Sequence, residues 1–220
     1  MIEMLVVIAI LALLITLVSP GISRTLEKSR DMKCFSQLRQ LTTVTLAIAS
    51  ERGGGILRAN DDHYVGSKLV DGDWIRHVGA YLSGVSHDTY VQTSGHRDQS
   101  MFICPSVKIA AEGPSTIQYG MNRYFERQQW GWGEPYKSMG WREDPTRYEL
   151  ITVLEIQNPA RTFLFGDKTT LDWAPLIAPT GAYIPEARHN GMAHFSFVDG
   201  HVEALEPAEY VDTDYYLFLN

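Results

Sequence analysis

Met4-Leu5-Val6-Val7-Ile8-Ala9-Ile10-Leu11-Ala12-Leu13-Leu14-Ile15-Thr16-Leu17-Val18 is the stretch on which the reading of this chain turns. Every residue in it is apolar except Thr16, and the only charge nearby is Glu3. As an α-helix rising 1.5 Å per residue, such a run spans roughly 25 Å. That is slightly short of the ~30 Å hydrocarbon core of a bilayer. At the head of the chain it predicts a membrane segment or export signal rather than a core helix. Retention is expected over removal, because no Lys or Arg precedes Arg24 and no Ala-x-Ala site follows the run. Pro20-Gly21 is expected to interrupt the helix, since Pro lacks an N–H and clashes with the preceding turn.

The remaining sequence suits one exported domain. With 220 residues in all, about 200 lie beyond the apolar run, enough for a full core. A hydrophobic content of 45% argues against overall disorder, and a formal charge of −7 argues against a nucleic-acid partner.

From Ser23 to Ser50 there is no Pro or Gly, and Leu26, Cys34, Leu38, Leu41 and Thr45 recur at helical spacing. Phe35, Leu46 and Ile48 widen this stripe, while Arg24, Lys28, Arg30, Lys33 and Arg39 take other faces, open to solvent or to lipid headgroups. Gly53-Gly54-Gly55 closes the helix. The predicted organisation is a transmembrane helix over 1–20, the extracytoplasmic half of the same spine over 21–52, and a globular domain over 53–220.

The segment Met1-Ile2-Glu3-Met4-Leu5-Val6-Val7-Ile8-Ala9-Ile10-Leu11 resembles the N-terminus of the type IV pilin-like proteins, or pseudopilins, without the Gly and Phe that begin their signature. Lys33-Cys34-Phe35-Ser36-Gln37-Leu38-Arg39-Gln40-Leu41 resembles the helix of one branch of that family, with Gln37 where Asn is usual. Further blocks follow in that branch's order. They are Phe102-Ile103-Cys104-Pro105-Ser106, Tyr119-Gly120-Met121-Asn122 after Gln118, Ile156-Gln157-Asn158-Pro159 with Phe163-Leu164-Phe165-Gly166-Asp167, and Arg188-His189-Asn190-Gly191 through Phe197-Val198-Asp199-Gly200-His201. The last is similar to the His-x9-Asp-Gly element of the prepilin-processing-associated proteins.

The resemblance implies an α+β pilin-like fold, with a long N-terminal helix spine packed on an antiparallel β-sheet. It also implies an assembly role for Glu3, whose carboxylate neutralises the N-terminal amine of a neighbouring subunit. The plainer role of Glu3 is to complement the positive end of the helix dipole. Implied partners are a prepilin peptidase, other pilin-like subunits, an inner-membrane assembly platform and membrane lipid. The implied location is the inner membrane, single-pass, with an extracytoplasmic domain.

Between Ile56 and Ser100, Asn60, Asp61-Asp62-His63 and Asp71-Gly72-Asp73-Trp74 mark turns. They lack the Gly and terminal Glu of a full calcium loop, so no metal site and no cofactor are expected. Cys34 and Cys104 are the only cysteines; they admit a disulfide closing a loop of about 70 residues, or two buried thiols. From Tyr124 to Tyr148 the chain is aromatic and broken by Gly and Pro. Trp130, Trp132 and Trp141 pin a long surface loop, or form a patch for a partner or a glycan.

Asn190-Gly191 and Asp199-Gly200 are two-residue hairpin signals around Ala193-His194-Phe195-Ser196-Phe197-Val198. They predict a three-stranded meander, entered by a strand into His189 and left by one through Val202. An extended strand between the turns measures about 20 Å, so His189 and Asp199 do not share an ion or a proton. His189 is expected to bond a backbone group or the spine.

Catalysis is not expected. Ser196 lies mid-strand without a Gly-x-Ser-x-Gly elbow, Cys104 precedes Pro, and Gly53-Gly54-Gly55 lacks the Lys-Ser/Thr of a phosphate loop. The expected function is that of a structural subunit of a type II secretion or type IV pilus-like fibre. The competing reading is an anchored extracytoplasmic binding module that does not polymerise.

Overall fold

The computed structural model describes residues 2–59, 63–65, 68–71, 74–86, 100–107, 117–125, 151–168, 176–178 and 183–211. The fold is α+β. Helix α1 (Ile2–Glu51) leads into a small hairpin of β1 (His63–Val65) and β2 (Lys68–Asp71), then α2 (Trp74–Ser83). A five-stranded sheet follows from β3 (Tyr119–Asn122), β4 (Phe163–Asp167), β5 (Leu176–Ile177), β6 (Ala193–Phe197) and β7 (Val202–Leu205). The short helix α3 (Pro207–Tyr210) comes last among the described elements.

The strand order is β5-β3-β4-β6-β7. The sheet is mixed rather than antiparallel throughout: β5 runs parallel to β3, and the other neighbours are antiparallel. A parallel neighbour needs a crossover instead of a tight turn, and β4 comes between β3 and β5 in sequence while lying on the other side of β3 in the sheet, so no local turn signal announces β5. The meander also differs from expectation. Among the described residues, the strand expected into Asn190-Gly191 is only a single bridge, His189 to Met192, and β6 takes β4 as its second partner.

Side-chain alternation divides the sheet into two faces. Phe163 stacks on Phe195 with centroids 4.2 Å apart, and Phe195 meets Tyr210 of α3. On the opposite face Tyr119, Phe165 and His194 meet the helices; Phe165, two residues after Phe163, reaches that face because the β4–β6 register shifts between them. Trp74 of α2 lies 4.7 Å from Phe165, and Phe35 of α1 is edge-on to His194. Gly120 and Gly166, opposite each other on β3 and β4, are fixed by packing. A Cβ on Gly120 would stand 2.5 Å from the backbone of Leu176, and one on Gly166 2.8 Å from the Phe195 ring.

In α1, Cys34, Leu38, Leu41, Thr45 and Ile48 are buried, the i, i+3, i+4 stripe expected of a helix covering a sheet. Leu26 does not join them and is half exposed. The helix carries on through Pro20 and Gly21, so the expected interruption is absent; the φ of Pro is itself helical, and its cost is one lost backbone hydrogen bond and local crowding. It ends as expected: Gly53 and Gly54 take positive φ, and Gly54 N–H donates to the Ala49 carbonyl at 2.8 Å.

The single-pass inner-membrane location is not supported. Among the described residues no helix is long and apolar enough to cross a membrane. The physical reason is length. The apolar run is bounded by Glu3 and by Ser19-Pro20, and its roughly 25 Å falls short of the ~30 Å a span requires.

Candidate functional site

Residues from five separated sequence blocks meet at two successive turns of α1, around Asp31, Cys34 and Gln37. Cys34 is disulfide-bonded to Cys104, with Cα atoms 5.2 Å apart. Ser106, two residues on, donates its hydroxyl to Asp31 Oδ1 at 3.2 Å. Tyr119 of β3 donates to Gln37 Oε1 at 2.9 Å. The Tyr119 hydroxyl is held well above its usual pKa by burial and by the nearby charge of Asp167, so it remains a donor.

At the centre lies His189. Its Nδ1 is 2.8 Å from Asp31 Oδ1 on α1, and its Nε2 is 3.1 Å from Asp167 Oδ2 at the end of β4. The same Asp167 oxygen accepts the backbone N–H of His194 at 2.8 Å. His189 and Asp167 are 2% and 0% exposed, so these bonds form away from water. A neutral imidazole has one N–H and can satisfy only one carboxylate; both contacts together require the imidazolium. Burial alone lowers the pKa of His189, but the hydrogen bonds and charges of Asp167 and Asp31 outweigh it and the net shift is upward.

The ring of His194 stacks on His189 at 3.8 Å and 4°. Its pKa is lowered, by burial first, with the positive charges of His189 and Arg188 opposing protonation against the pull of Asp167 and Asp31. The pair is therefore an imidazolium lying on a neutral imidazole. Arg188 holds its place by bonding the Lys168 carbonyl and Glu186.

The local sequence explains why His189 reaches this point. Asn190 and Gly191 both have positive φ, 54° and 85°, as a type I′ turn requires, and His189 and Met192 exchange both backbone hydrogen bonds. Asp199-Gly200 is a different turn from the two-residue one expected. Only Gly200 is at positive φ, and Phe197 N–H donates to the His201 carbonyl, leaving the three-residue loop Val198-Asp199-Gly200. Asp199 bonds His201, at 2.5 Å to Nδ1 and 3.1 Å to N–H. His189 and Asp199 thus have separate partners.

Asp167, His189 and His194 offer ligand atoms within 4.8 Å of one another, as do Cys34, Cys104 and His189. The first set is poorly disposed for a shared ion. Imidazole lone pairs lie in the ring plane, and an ion at about 2.1 Å from both nitrogens would stand well out of two parallel stacked rings. In the second set the sulfurs are joined to each other. Of the nucleophiles considered, Cys104 is in the disulfide, and Ser196 Oγ is buried with no hydrogen-bond partner among the described residues.

Asp31 is the site residue that sequence reading misses. Its signal is position: three residues before Cys34, it continues the stripe of Cys34, Leu38 and Leu41, where a carboxylate needs a buried partner. Asp167 and His194 stand in stretches that the sequence singles out, Asp167 in a family-like block and His194 in a strand between two turns, but nothing there marks them as parts of a bridge. Glu3 starts α1 and has no part in this cluster. Trp130, Trp132 and Trp141, with Asn60, Asp61, Asp62 and Asp73, lie outside the described residues. No protein-family model matches the chain, and neither a curated protein nor a solved structure is significantly similar to it.

Proposed function

We propose that the chain is a pilin-like structural subunit, with α1 as its spine and the globular body packed on the C-terminal half of that helix. The observation that carries this reading is the exposure of the first half. Met4, Ile8, Leu11 and Ile15 are 74, 59, 52 and 68% exposed, and Val6, Val7, Ile10, Leu13 and Leu14 are exposed as well. With Ala9 and Ala12, also exposed, these positions cover every side of the helix, and a helix apolar on all sides is one that is buried all round. The occupants proposed are the same helices of neighbouring pilin-like subunits, packed as the core of a short fibre of the type II secretion or type IV pilus kind. A prepilin peptidase and an assembly platform are the further partners of this reading.

The disulfide and the His189 bridge support it, because they tie the body to the helix on the side away from the apolar half. Glu3, buried on assembly, would need a positive partner and would set the axial register. The test is Glu3→Ala in the full chain. Its body should melt as the parent does, while ordered assembly is lost; ordered assembly at the parental level would contradict the register role.

A further inference from the structure

Two carboxylates from different elements face the two nitrogens of one buried ring, and that geometry has a consequence for how α1 is held. We propose that His189 is a proton-dependent latch between α1 and the sheet: closed when both ring nitrogens carry hydrogen, open at the Asp31 side when one is lost. With one N–H left, one carboxylate must face an imidazole lone pair, and its bond becomes a repulsion. Asp31 is the partner that lets go. Asp167 is fully buried at a strand end and also holds the His194 N–H, whereas the side chain of Asp31 is one quarter exposed.

The groups facing His189 are all identifiable among the described residues. Asp31 comes from α1, Asp167 from β4, and His194 from β6; the sulfur of Cys104 lies 3.7 Å from Nε2. Arg188 adjoins the cluster and acts on His194, and Tyr119 of β3 feels the charge of Asp167. Both Arg188 and a neutral His194 are unable to replace the missing proton, since neither donates to Asp31. The upward shift of His189 places the opening above the ordinary histidine range.

The Cys34–Cys104 disulfide sets what the latch controls. It pins α1 one turn beyond Asp31, so opening cannot detach the helix. It frees only the turns on the N-terminal side of Cys34, where Asp31 is held by His189 and, more weakly at 3.2 Å, by the neutral Ser106 hydroxyl. The latch therefore governs how firmly the leading part of α1 is oriented on the body, with the disulfide as its fulcrum.

The experiment is hydrogen–deuterium exchange on the oxidised full chain between pH 5.5 and 9, with each rate corrected for its intrinsic pH dependence. Amides from Lys28 to Lys33 should lose roughly ten- to a hundredfold in protection as pH rises, the scale of one charge-assisted hydrogen bond. Amides of β4 and β6 should not change. Asp31→Asn removes the charge that needs the second proton, so its protection should be flat with pH. Constant protection in the parent, or the same alkaline loss in Asp31→Asn, would overturn the latch.

Discussion

His189 stands between Asp31 of α1 and Asp167 of β4, 2.8 Å from one carboxylate and 3.1 Å from the other. The bridge joins the helix to the sheet at the point where the disulfide and the Tyr119–Gln37 bond also join them. Three different chemistries thus secure two successive turns of helix. Far along the helix toward its N-terminus, Met4 and the apolar residues from Val6 to Ile15 are exposed.

Removing the histidine leaves two carboxylates facing each other, one of them fully buried. His189→Ala is expected to cost about 3–5 kcal/mol, the scale for breaking a buried charged pair by deleting one partner. Urea unfolding at pH 6 measures it. A loss below about 1 kcal/mol would mean that the bridge is not formed in solution.

The same bridge gives stability a sign in pH. The pKa of His189 is raised on folding, so its contribution is complete below about 6.5, the unfolded histidine value. It is lost as pH rises through the folded value. The urea midpoint is therefore expected to fall on the alkaline side in the parent, and His189→Gln is expected to flatten that slope.

The disulfide closes a loop with a sequence separation of 70. Cys34→Ser with Cys104→Ser is expected to lower stability by about 2–4 kcal/mol, chiefly by releasing the unfolded chain. Thermal unfolding with and without reductant checks this, since the double variant should respond to neither condition.

Gly120→Ala tests the close approach of β5 to β3. With a Cβ 2.5 Å from the Leu176 backbone, strands must shift, and a loss of about 1–3 kcal/mol is expected. Gly120→Ala unfolding at the parental denaturant concentration would contradict the β3–β5 pairing.

Helical period and turn chemistry made much of this fold legible. The stripe from Cys34 to Ile48, the glycine stop at Gly53-Gly54 and the Asn190-Gly191 turn all follow from local rules. The parallel placement of β5 does not, because it depends on which strand edge lies open after β4 has paired. Asp199-Gly200 was legible as a turn but not as its type, since Asp and Gly serve both the two-residue loop and the three-residue loop seen here. The bridge was half legible. His189 and Asp167 sit in distinctive blocks, yet the second carboxylate on His189, Asp31, is one acidic residue in a helix crowded with charges. The membrane location failed for a countable reason, a run too short to span.

Sedimentation velocity of the oxidised full chain, paired with negative-stain microscopy, tests the subunit reading most directly, with Leu11→Lys as the comparison. Leu11 is half exposed on α1, far from the His189 cluster, so the charge should leave the body folded. The expected result is ordered, uniform assemblies of the parent and a folded monomer of the variant. A folded parent that remains monomeric, or irregular aggregates that Leu11→Lys does not disperse, would contradict assembly through α1.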